Sequence, residues 1–216
     1  MWSLQKPTTE VVDSFLAQVA DSPFSYEEVG ISQGGGNAED NRHWPGDFDH
    51  QRGLLGEGEE AYLAACGAVA SWQMFPDRWT AIYRGNVVPQ NGNVVALAIR
   101  TFGLWSLSAC RVVEAFDESG PTRCFGFAYG TLPTHVESGE ERFAVEMDQQ
   151  GRVWYDLRAW SRPKHILTRV GYPVARIMQA RFRRDSLAAL RRAVADAVSQ
   201  DLDDATPCDR RGEVLA

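Results

Sequence analysis

The chain has 216 residues, 44% hydrophobic and 24% charged, enough to bury a full core as one domain. With 22 basic against 29 acidic side chains the net charge is −7, which argues against a general electrostatic grip on nucleic acid. No apolar run nears the ~20 residues that span a bilayer; with no secretory leader and no C-x-x-C among Cys66, Cys110, Cys124 and Cys208, a reduced cytosolic protein is expected.

In chain order, Thr8 or Thr9 caps a short helix carrying Val11, Val12, Phe15, Leu16 and Val19, read as an N-terminal extension over residues 1–24. Ser25–Gly30 reads as a short strand opening a main domain over residues 25–200. Residues 31–51 are polar and irregular, with Gly34-Gly35-Gly36, His43, Trp44 and His50, and are read as either a mobile loop or a lid. Gly56–Phe75 reads as a helix with a stripe of Tyr62, Cys66, Val69 and Trp72, closed by Pro76.

The period then changes to two. Trp79–Val88 and Val94–Phe102 flank Asn91-Gly92, a strong hairpin signal. Ala109–Phe116 and Thr122–Leu132 flank Ser119-Gly120-Pro121, and Glu140–Met147 and Val153–Ser161 flank Gln150-Gly151. A last helix is read over about Pro173–Ser199, its inward stripe drawn from Val174, Ile177, Leu187, Leu190, Val194 and Val198, with Asp185-Ser186 as a kink or a second start. Residues 201–216 read as a flexible tail.

This order predicts an α+β fold. A curved antiparallel sheet of about seven strands wraps a long C-terminal helix, the helix-grip arrangement. The segment FGFAYGTLPTHVESGEERF at 125–143, with CRVV at 110–113 and VWYDLRAWSRP at 153–163, resembles a widespread family of uncharacterised bacterial and plant proteins over about Tyr26–Ala193. That family resembles the START-like, polyketide-cyclase-like superfamily, whose members hold lipids, hormones or polyketides between sheet and helix. The resemblance implies a fold and a class of apolar ligand; it brings no agreed activity, catalytic residue or cofactor.

Trial registers assign the inner face. A turn near Gln150 pairs Val145 with Tyr155, Phe143 with Leu157 and Glu141 with Ala159, and places Phe125, Phe127 and Tyr129 on the same face. A turn near Ser119 pairs Arg111 with Phe127, which sets Arg111 within reach of Glu141; one β-bulge would flip that strand. The candidate ligand-binding residues are therefore Trp72, Arg111, Phe127, Tyr129, Glu141, Phe143 and Tyr155. On the other face Glu140, Arg142, Glu146, Asp156 and Arg158 read as a solvated cross-strand charge ladder.

Tyr129, His135 and Glu141 are the acid–base candidates, although a lone loop histidine more often bonds the turn that carries it. His43, His50 and His165 are scattered, so no metal site is expected. Cys110 and Cys124 fall on neighbouring strands but not opposite one another, which predicts no disulfide between them. Arg176, Arg181, Arg183, Arg184, Arg191 and Arg192 make the last helix basic, a face for anionic membrane or, more simply, a solvated face paired with acids. The leading functional expectation is binding of a small hydrophobic, amphipathic or aromatic molecule. A cyclase- or hydrolase-type enzyme and an interaction module acting through the basic helix are the alternatives, and neither a cofactor nor a nucleic-acid partner is expected.

Overall fold

The computed structural model describes residues 2–33, 44–83, 87–163 and 171–204. Gly34-Gly35-Gly36, His43, His165, Cys208 and residues 205–216 lie outside them. In chain order the elements are β1 (Trp2–Ser3), α1 (Thr9–Val19), β2 (Asp47–Glu57), α2 (Gly58–Ala70), β3 (Thr80–Tyr83), β4 (Val94–Thr101), β5 (Leu104–Glu118), β6 (Arg123–Thr131), β7 (Glu137–Met147) and β8 (Arg152–Pro163), closed by a 33-residue helix α3 (Tyr172–Asp204). The strands form one antiparallel sheet in the order β2-β8-β7-β6-β5-β4-β3, with β1 paired to β5. This is the α+β helix-grip arrangement, with α2 and α3 on the inner face.

The inner face carries Val95, Leu97, Val112, Phe127, Tyr129, Phe143, Val145, Tyr155 and Leu157, packed against Ala61, Tyr62, Ala65 and Val69 of α2 and Leu190 and Val194 of α3. The β6–β7–β8 pairing follows the expected register: Phe127 opposes Phe143, Tyr129 opposes Glu141, and Val145 opposes Tyr155. Phe125 shares that face but is half-buried, at its edge. Helix α3 runs unbroken past Asp185-Ser186; Ser186 is fully buried and its Oγ meets the Tyr155 hydroxyl at 2.8 Å.

Several sequence expectations give way. Asp47–Glu57 is a strand, not a loop, paired along β8. Its alternate residues Asp47, Asp49, Gln51 and Gly53 are not apolar, so periodicity does not betray it. Gly53 lets α3 approach: a Cβ there would stand 2.5 Å from Leu187 Cδ2. Ser25–Gly30 is a turn segment rather than a strand, and α2 begins at Gly58. Strand β5 begins at Leu104, after a two-residue turn in which Phe102 and Gly103 have φ of 49° and 86°. Val174 faces inward as expected, but Ile177 is exposed, and Ala175, Met178 and Phe182 complete the inward side of that turn of helix.

The β5 register is also corrected. Asp117 opposes Phe125 and Ala115 opposes Phe127, and a bulge between Val112 and Glu114 follows, after which Arg111 opposes Gly130. The single extra residue turns Arg111 to the outer face. There its Nη2 donates to the carbonyls of Ala20 (2.7 Å) and Ser22 (2.9 Å), just after α1. It makes no pair with Glu141.

Nor is the outer face a solvated ladder. Helix α1 covers Ala96, Ala98, Trp105, Leu107 and Ala109, while Tyr26 and Trp44 cover Trp160. Glu140, Arg142 and Asp156 are only 2%, 6% and 1% exposed. Asp156 meets His50 Nε2 and Arg158 Nε at 2.7 Å each, and the Arg142 guanidinium lies over the Phe116 ring at 4.3 Å. Glu140 accepts from Tyr26 Oη (2.7 Å), Gly30 N (2.6 Å), Ser32 N (3.0 Å) and Ser32 Oγ (2.5 Å). Tyr26 reaches it only over Gly130, where a Cβ would stand 1.9 Å from the phenol oxygen.

Candidate ligand site

Two halves of the space between sheet and helix differ. At the α2 end it is filled by rings: Trp72 packs tilted against Phe127 at 4.4 Å, and Phe127 lies 5.3 Å from Phe143. At the end nearer the start of α3 a cavity of about 340 Å³ remains open, within the ~300–1,000 Å³ typical of small-molecule sites. Phe75, Phe143 and Phe182, 5.3–6.5 Å apart, make a wall between the halves. Trp79, Leu97, Ile99, Val174, Ala175 and Met178 give the cavity a largely apolar lining.

Its polar groups converge from three elements. Tyr129 on β6 directly opposes Glu141 on β7, and the phenol donates to Glu141 Oε2 at 2.5 Å. Burial pushes the Glu141 carboxyl up from 4.5 to about 7, opposed by the Tyr129 hydrogen bond. The Tyr129 phenol is held well above its ordinary range by burial and by the Glu141 charge. Glu137, also raised by burial, accepts from Gln179 Nε2 on α3 at 2.8 Å, and that amide reaches Ser161 Oγ at 3.1 Å.

At the mouth, Asp49 of β2 receives both Arg176 nitrogens, at 2.6 and 2.8 Å, and Arg183 Nη1 at 3.0 Å. His135, in the β6–β7 turn, lines the cavity and its Nδ1 accepts the Glu137 backbone N–H at 3.1 Å. Among the described residues no three His, Cys, Asp or Glu side chains converge as metal ligands.

Of the residues singled out from sequence, the structure brings Tyr129, His135 and Glu141 together on the cavity lining. Trp72, Phe127, Phe143 and Tyr155 lie outside the lining, in the packed aromatic half, and Arg111 lies on the opposite face. Sequence reasoning missed Asp49, because its strand was unseen, and Gln179, Arg176 and Arg183. Gln179 had one usable signal: it is a polar residue inside the helical spacing Ala175, Met178, Phe182.

Residues 25–189 match the model described as Domain of unknown function (DUF1990). The chain belongs to the DUF1990 family. Two DUF1990-type relatives, both called UPF0548 protein, span nearly the same length. One from Deinococcus radiodurans is 36% identical over 192 residues, covering 84% of this chain and 92% of the relative. One from Dictyostelium discoideum is 30% identical over 208 residues, covering 90% and 96%. Among solved structures, the Zhui aromatase/cyclase of a Streptomyces species aligns with a TM-score of 0.43 at 15% identity, over 74% of this chain and 100% of that one.

Within this DUF1990 chain the 125–143 segment does two structural things at once. Its inward Tyr129 and Glu141 line the cavity while Phe127 and Phe143 fill the packed half, and its outward residues, Gly130 and Glu140, fasten residues 26–32 onto the back of the sheet. Cys66, Cys110 and Cys124 are free thiols, and no helix among the described residues is long and apolar enough to cross a membrane.

Proposed function

We propose that the protein binds one small amphipathic or aromatic molecule in the cavity between sheet and α3, with Tyr129 and Glu141 as its polar anchor. The binding unit is residues 25–200, with 1–24 as an extension, and free cysteines support a reducing, cytosolic setting. The observation that carries the reading is the short Tyr129–Glu141 hydrogen bond at the floor of a cavity whose other walls are largely apolar. An apolar pocket with a few convergent polar groups is how proteins bind small ligands: area supplies affinity and the polar groups fix orientation. The basic helix offers less. Arg176 and Arg183 pair with Asp49, and Arg181 and Arg184 with Asp185.

A second reading has its own support. A carboxyl group titrating near 7 beside a phenol suits proton transfer at neutral pH, so acid–base chemistry of the cyclase or hydrolase kind is the alternative. Both readings are tested by native mass spectrometry of the purified chain, followed by affinity and conversion measurements on Tyr129→Phe and Glu141→Gln. Weakened binding with no conversion by the unmutated protein supports the binder. Retained binding with turnover cut by about 10²–10⁴-fold supports the enzyme. No change in either quantity rejects the anchor.

A further inference from the structure

The charges around the cavity are unequal, and the arrangement narrows the ligand class. Asp47 and Asp49 come from β2, Glu137 and Glu141 from β7, Arg176 and Arg183 from α3, with Tyr129 and His135 beside them. Both arginines are spent on the aspartates: Arg176 grips Asp49 with two nitrogens and lies 3.8 Å from Asp47, and Arg183 sits 3.0 Å from Asp49. Glu137 and Glu141 are left with one neutral donor each, Gln179 and Tyr129, and among the described residues neither forms a salt bridge. The second oxygen of each carboxylate, Glu137 Oε2 and Glu141 Oε1, has no hydrogen-bond donor among the described residues.

We propose that the cavity selects amphipathic amines, the protonated nitrogen lodging at Glu141 and Glu137 and the apolar body lying along α3. This rests on the cavity being the ligand site. A part-buried carboxylate with no salt bridge, its nearest arginines acting only from a distance, is under-compensated, and an ammonium donates up to three hydrogen bonds where two carboxylates have acceptors to spare. An anionic head group would meet those same carboxylates, and among the described residues the arginines beside them are committed to Asp49. A neutral alcohol would hydrogen bond but leave the charge uncompensated. Burial raises the Glu141 carboxyl to about 7, so it is ionised by pH 8 and amine binding tightens as pH rises towards 8; burial shifts Glu137 in the same direction.

The test uses the full chain and three probes sharing one ring system: 1-naphthylmethylamine, 1-naphthylmethanol and 1-naphthoic acid, titrated calorimetrically at pH 6 and pH 8. The amine is expected to bind about 10- to 100-fold more tightly than the alcohol at pH 8, the worth of a charge-assisted hydrogen bond, and the acid most weakly. Glu141→Gln is expected to weaken the amine by about 10- to 100-fold and the alcohol, which loses only a neutral contact, by far less; Glu137→Gln, which keeps the Tyr129 bond, should likewise weaken the amine more than the alcohol. An alcohol or acid that binds as well as the amine overturns the amine preference and leaves the cavity as a ligand site. If none of the three binds, the cavity reading itself falls, and the amine preference with it.

Discussion

Tyr129 and Glu141 oppose each other across the β6–β7 ladder, joined by a 2.5 Å hydrogen bond where the packed aromatic core gives way to the cavity. Behind them the inner face is packed solid with rings and aliphatic side chains; ahead of them the walls separate. The pair is therefore both the last polar contact of the core and the first polar contact available to a ligand.

That position has a thermodynamic consequence. The Glu141 carboxyl is raised from 4.5 to about 7, chiefly by burial. Below the ordinary carboxylate range both folded and unfolded chains hold the proton. As pH climbs towards 7 the unfolded chain releases it first, so stability falls across that window and levels off above it. Glu141→Gln should remove this component. The variant is expected to match the unmutated protein at pH 4 and to exceed it by about 3 kcal/mol at pH 8 in urea unfolding. Equal pH profiles for the two proteins would mean Glu141 is solvated.

The outer face gives a second expectation. Glu140 holds Tyr26, Gly30 and Ser32 through four hydrogen bonds. Glu140→Ala leaves several buried donors unmet and is expected to cost about 3 kcal/mol or more, with faster amide exchange across residues 25–33. Tyr26→Phe in that background should add little, because the phenol's partner is already gone. Additive losses would show that the two residues act independently.

Arg111 provides the opposite case. It is tied to the carbonyls of Ala20 and Ser22, on the face away from the cavity. Arg111→Met should lower stability by about 1–2 kcal/mol and leave ligand affinity unchanged. A tenfold change in affinity by calorimetry would require an inward Arg111.

The contrast between Arg111 and Glu141 explains what was legible in the sequence. The β6–β7–β8 strands alternate cleanly and meet at tight turns, so Phe127, Tyr129, Phe143, Glu141 and Tyr155 could be placed on one face from spacing alone. Between β5 and β6 the turn sits later than Ser119, and the bulge before Glu114 adds one residue. The turn error preserves parity; the bulge reverses it, and no residue there announces a bulge. The buried charges were hidden for another reason. Glu140 is covered by residues 26–32, irregular chain without period, while Asp156 meets His50 and Arg158 and Arg142 lies over Phe116, contacts that spacing alone does not reveal, so all three looked like surface residues. Strand β2 escaped because its alternate residues face the polar mouth and helix α3 instead of an apolar core.

The most direct measurement of the cavity's role is fluorescence titration with N-phenyl-1-naphthylamine, comparing the unmutated chain with Ala159→Phe and Ala175→Phe. Ala159 on β8 and Ala175 on α3 line the cavity from opposite sides, and either larger side chain would fill it. The account predicts saturable binding of one probe per chain, lost in both variants while their melting transitions stay cooperative. Equal binding by the unmutated and filled proteins, or none by the unmutated one, would contradict it.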